Sequence, residues 1–326
     1  MKYLYRPNPI WLLALLIITQ GCGTIRPAIN SEDNTNNYCT VPHQVFTIDT
    51  LHADKAASLP MLDTSTIHGL SPRSLQLTHA YGLNTGLQQL IQRGKGLTPT
   101  SPAYPAFLKQ RKAIVLQIVD ASADVLQVAE ELECEKQRAE QSAIALQGRE
   151  DKQRNNLTVG SLLFGAVGST VSATVKNSHL NLVLTVSTAV LSAALGVATI
   201  LVNPQINYPI NQNLLADVWY QHPRSALYPT GLWTVLNEKR ERRSNQAVRS
   251  LLQTSRMRWA KYDQLTKGKP QKQQQQQKLF FGNGGSYHID DLHTLSNMLT
   301  EIEVMVRSVN QDLQKLQVEV SNLEPQ

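Results

Sequence analysis

Two apolar segments, Leu157–Val175 and Leu182–Val202, constrain this chain more than anything else in it. The mostly polar stretch Lys176-Asn177-Ser178-His179-Leu180-Asn181 joins them, and Lys176 is the only formal charge between Asn155 and Ala216. As helices rising about 1.5 Å per residue they would be roughly 28 and 31 Å long, each about one hydrocarbon core. Neither has a polar face, and a helix that is apolar all round belongs inside a large core or in lipid. Small residues fall in register along both. Ser161, Gly165, Gly168 and Ser172 line one side of the first segment; Thr185, Ala189, Ser192, Gly196 and Thr199 line one side of the second. Facing seams of this kind let two backbones approach closely, with Leu162, Val171, Leu184 and Leu195 directed outward. The prediction is a hydrophobic helical hairpin that contacts membrane.

The segments around the hairpin also read as helix. Ser71-Pro72, an N-cap followed by proline at the first helical position, predicts a helix to Gly94, with Leu75, Ala80, Leu83, Leu87, Leu90 and Ile91 as its apolar stripe. Pro102 and Pro105 mark a loop. From Ala106, helical spacing persists for almost fifty residues. Ile114, Ile118, Ala121, Val125, Val128 and Leu132 form a coiled-coil seam that continues through Ala139 and Leu146. Near the C-terminus, Leu292, Leu295, Leu299, Ile302, Val306, Val309, Leu313, Leu316, Val320 and Leu323 keep strict 3-4 spacing. A helix with such a stripe needs a partner. The helix before the hairpin, running antiparallel, is the favoured one; a second chain is the alternative. The fold class expected is mainly α, an elongated antiparallel helical bundle or coiled coil carrying a hydrophobic helical hairpin. Aromatic content of 6% suits helix-on-helix packing.

At the N-terminus, Lys2 and Arg6 precede the apolar run Ile10–Ile18, which ends in Thr19-Gln20-Gly21-Cys22-Gly23. The run is a secretory signal in length and flanks rather than a spanning helix. The Gly21-Cys22 junction resembles a bacterial lipoprotein signal, departing from that pattern at Thr19 and Gln20. The resemblance covers about the first 23 residues. It implies cleavage before Cys22, acylation of its thiol with membrane lipid, and, from Gly23, sorting to the outer membrane. An ordinary cleaved signal would instead leave Cys22 a thiol. Several acyl chains would hold the chain firmly, since one alone binds marginally. Export would place the remaining cysteines, Cys39 and Cys134, in an oxidising compartment, where they either pair or stay unrelated thiols.

Between hairpin and C-terminal helix, Asn203-Pro204 and Tyr208-Pro209 end the second apolar helix. A short helix, Leu214–Tyr220, and a Pro-bounded turn follow. A long basic helix is predicted from about Leu232 to Leu265, with Lys239, Arg240, Arg242, Arg243, Arg249, Arg256, Arg258 and Lys261, and with Trp233, Val248, Leu252, Trp259 and Tyr262 on its apolar side. It suits either a membrane interface or a solvated bundle face. Lys267–Lys278, with five consecutive glutamines, reads as a low-complexity linker. The net charge of +6 and pI near 9.2 suit anionic partners or merely a soluble surface.

Catalytic signatures are missing from the sequence. It has no His-Glu-x-x-His zinc helix, no Gly-x-Ser-x-Gly elbow and no phosphate-loop lysine after Gly282-Asn283-Gly284-Gly285. Glu130, Glu131, Glu133 and Glu135 read as solvating residues. No cofactor, metal, nucleic acid or small-molecule substrate is expected. The organisation predicted is a signal peptide over 1–21, a polar tether and irregular segment over 22–70, and helices over 71–156. The hairpin follows over 157–202, then a Pro-bounded loop and basic helix over 203–266, a Gln/Gly-rich linker over 267–287 and the coiled-coil helix over 288–326. The function expected is a non-enzymatic, lipid-anchored scaffold of the bacterial cell envelope, binding protein partners or itself through the coiled coil. The alternative is membrane perturbation, because the order long helix, apolar hairpin, long helix resembles in layout the α-helical pore-forming cytolysins.

Overall fold

A computed structural model describes residues 39, 69–174, 178–239, 249–262, 265 and 270–325 of the chain. The predicted signal, Cys22 and most of the tether lie outside these residues. Among the described residues the chain is mainly α, with nine helices and two short strands.

Helix α1 (Pro72–Ala80) starts as its sequence dictates: the Ser71 side chain accepts from the Ser74 N–H at 3.3 Å, with proline in the first turn. It does not run on to Gly94. Gly82 takes a left-handed backbone (φ 68°), and α2 (Asn84–Gly94) begins afresh after it. Leu75, Leu87 and Leu90 are buried as the stripe predicts.

Helix α3 (Tyr104–Thr174) has 71 residues and spans about 107 Å. The polar run Arg149–Arg154 does not break it, so the first apolar segment is the continuation of the preceding helix rather than a separate element. Nothing in that run stops a helix, for it holds neither proline nor glycine. Helix α4 (Ser178–Leu201) returns along the end of α3. Helix α9 (Ile289–Ser321) lies on the earlier part of α3 in the opposite direction. Arg111 donates to the Leu323 carbonyl at 2.8 Å, Ser122 to Asn310 at 2.5 Å, Lys136 to Glu303 at 3.0 Å and Ser296 to Glu140 at 2.8 Å. Between them are buried Ile114, Ile118, Val125, Val128, Leu132, Ala139 and Leu146 of α3. Every predicted stripe residue of α9 from Leu292 to Val320 is buried too, with Leu323 just beyond the helix.

The remaining elements pack along this pair. Strand β1 (Ile206–Pro209) pairs antiparallel with β2 (Gly284–Tyr287), Ile206 opposite Tyr287 and Pro209 opposite Gly284. The ladder ties the chain leaving α4 to the chain approaching α9. A side chain at Gly284 (φ 79°) would collide with the Tyr208 carbonyl. Helix α5 (Leu214–Tyr220) is capped by Asn213. The predicted long basic helix is two helices, α6 (Thr230–Asn237) and α7 (Leu251–Tyr262). The predicted glutamine linker is largely helix α8 (Pro270–Phe281). Glutamine is a good helix former, and α8 is held by Phe280 and Phe281, buried against Tyr287, Trp219 and Trp259. Arg73 of α1 bonds Asp312 of α9 at 2.7 Å and Glu238 after α6 at 3.3 Å. Cys39 and Cys134 form a disulfide, Cα atoms 5.5 Å apart. It ties Cys39 to the middle of α3.

Candidate functional site: the apolar hairpin

The end of α3 and the whole of α4 pack on each other through small residues. A Cβ on Gly168 would lie 2.9 Å from the Thr188 Cβ and closer still to its Oγ1, an approach only glycine allows. One on Gly165 would meet Ser192 Oγ at 3.8 Å, and one on Gly160 the Leu195 side chain at 3.6 Å. Ser192 donates across the seam to the Ser161 carbonyl at 2.9 Å. Of the predicted seam, Ser161, Gly165, Gly168 and Ser192 therefore sit where the two helices meet. Ala189 and Gly196 do not: Ala189 is exposed, and a Cβ on Gly196 would meet nothing within 4 Å. The side of α4 turned to α3 is Leu184, Thr188, Ser192 and Leu195, which shares Ser192 with the predicted row and is rotated from it by roughly 65°. Leu184 and Leu195 are thus half-buried, not outward. The Ser172 and Val171 side chains lie outside the described residues.

The other faces are apolar and uncovered. Leu162 (68% exposed), Leu163, Val167, Leu182, Val183, Val186, Val190, Val197, Ile200 and Leu201 all point away from the seam. With full burial of one such side chain worth about 1.5–3 kcal/mol, this surface leaves on the order of 10–20 kcal/mol of transfer free energy unrealised in water. His179–Leu201 is, among the described residues, the one helix long and apolar enough to cross a membrane, with a mean hydropathy of 2.0 and none of it buried.

The polar groups of the hairpin are arranged to suit such a setting. Every hydroxyl described there has an acceptor: Thr158, Ser161, Ser169, Thr170, Thr185, Ser187, Thr188 and Thr199 bond back to carbonyls of their own helix, and Ser192 bonds across. In hydrocarbon an unpaired hydroxyl would cost several kcal/mol, roughly. Back-bonding removes that cost without a polar partner outside the helix.

Further down α3, the glutamates expected to be solvated are partly structural. Glu135 is buried and accepts from Arg138 at 3.1 and 2.7 Å and from the Tyr208 hydroxyl at 3.3 Å. Arg138, 4% exposed, also donates to the Pro209 carbonyl at 3.0 Å and lies 4.0 Å over the Tyr208 ring. Burial, and then the Glu135 carboxylate, push the Tyr208 hydroxyl far above its usual range. This junction locks the β ladder, and so the chain returning from the hairpin, onto α3. On the α9 side, Glu303 accepts from Arg307 at 2.7 Å and from Lys136 at 3.0 Å, and Arg307 also reaches Glu133. Burial alone would raise the Glu303 carboxyl; the bonds from Arg307 and Lys136 outweigh it and hold it below its ordinary range. Spacing could not reveal these roles, because they depend on what stands opposite each glutamate.

The predicted basic residues Arg240, Arg242 and Arg243 lie outside the described residues. Arg249, Arg256 and Arg258 are brought to α7 and its start. Among the described residues no group of three His, Cys, Asp or Glu side chains is placed to hold a metal ion. Fold and site together define a mainly helical chain that carries an uncovered apolar helix pair. No protein-family model, curated protein or solved structure matches it.

Proposed function

We propose that this protein is a lipid-anchored, non-enzymatic helical scaffold of the bacterial cell envelope, held in the membrane a second time by the α3–α4 hairpin. The observation that carries the reading is the hairpin surface: apolar side chains outward, hydroxyls satisfied by carbonyls of the helix pair itself, and no described element covering it. The lipoprotein-like junction at Cys22 supplies the first anchor and favours the outer membrane. In this reading α3 and α9 form an antiparallel coiled coil that stands as a rigid arm. Its seam is filled within one chain, so partner proteins or a second copy would meet the outer face of α3 instead. There Leu116, Val119 and Leu126 are 51%, 40% and 36% exposed at 3- and 7-residue spacing. The pore-forming alternative requires a hairpin concealed until release, and an uncovered hairpin supports it less.

The test is liposome flotation and dye release with the purified Cys22→Ser chain. A scaffold with an embedded hairpin floats with the vesicles and leaves their contents sealed. Release of dye would favour the pore former, and failure to float would overturn the second anchor.

A further inference from the structure

Away from the hairpin, helices α5, α7 and α8 line an open cavity of about 570 Å³. Trp219 and Tyr220 come from the end of α5, Arg249, Arg256 and Met257 from α7 and the residues before it, and Gln277 from α8. We propose that this cavity binds an organic phosphate carried on an apolar body, the chemistry of an anionic amphiphile, and that it does so independently of the hairpin.

Charge is the first reason. Neither Arg249 nor Arg256 has a carboxylate partner within ion-pairing distance among the described residues, whereas Arg258 on the same helix pairs with Glu301 at 3.0 Å. Two guanidiniums in one cavity, neither paired with a carboxylate among the described residues, match the two negative charges of a phosphomonoester and the planar, forked geometry by which arginine binds phosphate oxygens. Arg256 is already oriented, its guanidinium 5.5 Å from the Trp219 ring centroid. Trp219 is in turn stacked on Phe281 at 4.4 Å, so the platform under the arginine is rigid.

The apolar half is the second reason. Tyr220 and Met257 are 51% and 48% exposed at the cavity mouth, where burial by a methylene chain or ring would be favourable. Methionine adapts to irregular apolar partners. Neutral donors complete the wall. The Gln253 side-chain oxygen accepts from the Ser250 N–H at 3.3 Å, which leaves its amide nitrogen as a donor. A cavity of this size lies within the range of small-molecule sites.

The probe is dihexanoyl phosphatidic acid below its micellar concentration, titrated calorimetrically into the full chain in a neutral detergent. Dihexanoyl phosphatidylcholine and inorganic phosphate are the comparison ligands. Saturable one-site binding of the phosphatidic acid is expected, at least tenfold tighter than either comparison. Arg249→Gln with Arg256→Gln should weaken it tenfold or more, each single variant should weaken it less, and Met257→Asp should lower the affinity for the amphiphile. All four should keep the wild-type helical circular dichroism and liposome flotation. Equal binding of phosphatidylcholine, or affinity unchanged in the double arginine variant, would overturn the site. Inorganic phosphate binding as tightly as the amphiphile would overturn the apolar half of the proposal.

Discussion

Arg138→Met should be the most destabilising single change on α3, and the structure says why. The guanidinium makes two bonds to the Glu135 carboxylate, a third to the Pro209 carbonyl, and covers the Tyr208 ring, all at a site only 4% exposed. Its removal leaves Glu135 buried with the Tyr208 hydroxyl as its one remaining side-chain donor among the described residues. Breaking one half of a buried ion pair costs about 3–5 kcal/mol. With a slope of about 3 kcal/mol per molar urea, the unfolding midpoint should fall by about 1–1.7 M. The measurement is urea denaturation of the full chain in neutral detergent, followed by circular dichroism. Replacing both partners, Glu135→Leu with Arg138→Met, should recover to within about 1 kcal/mol of wild type, because no uncompensated charge remains. The Tyr208 hydroxyl then keeps the Glu135 backbone carbonyl as its acceptor. A single variant no less stable than the double variant would refute the reasoning.

Three further outcomes are expected. Gly168→Ala should force α3 and α4 apart at a cost of about 1–3 kcal/mol; oxidative cross-linking between Gly165→Cys and Ser192→Cys should slow with it, and Thr188→Gly should restore the rate. Ile302→Ala, at a fully buried seam position, should cost about 2–5 kcal/mol in urea melts, whereas Val304→Ala, at a residue 61% exposed, should stay within about 0.5 kcal/mol. Because the folded Glu303 carboxyl lies below its unfolded value, its stabilisation is present above the ordinary glutamate range, near pH 4.3, and is lost as pH falls through the depressed folded value. Arg307→Gln should flatten that part of the stability–pH curve, read from urea midpoints between pH 6 and 3.

What was legible in the sequence was whatever a single helix determines by itself. The 3-4 stripe from Leu292 to Leu323 and the seam from Ile114 to Leu146 are periodic, and each of these burials follows from its own spacing. Leu214–Tyr220 is the short helix expected, and the Asn213 side chain caps its start. The unreadable parts depend on partners. Gly82 splits α1 from α2 through a backbone angle that a leucine stripe does not encode. The glutamine run is helical because Phe280 and Phe281 anchor it beside Trp219 and Trp259. The Ile206–Pro209 and Gly284–Tyr287 strands are too short to show alternation and pair across most of a hundred residues. In the hairpin the small residues located the contact, but the choice of Leu184 and Thr188 over Thr185 and Ala189 is set by how α4 rotates against Gly168. Glu135 looked like one of several surface acids until Arg138 and Tyr208 were seen around it.

The claim on which the account turns is that the hairpin is embedded in lipid. Its most direct test is alkaline-carbonate extraction of membranes from cells that express the Cys22→Ser chain, beside the same chain carrying Leu163→Asp and Val186→Asp. Both of these positions lie on the uncovered faces, 60% and 53% exposed. The account predicts that the Cys22→Ser chain stays in the pellet and that the added aspartates release it. A Cys22→Ser chain that leaves the membrane with the carbonate wash would contradict it.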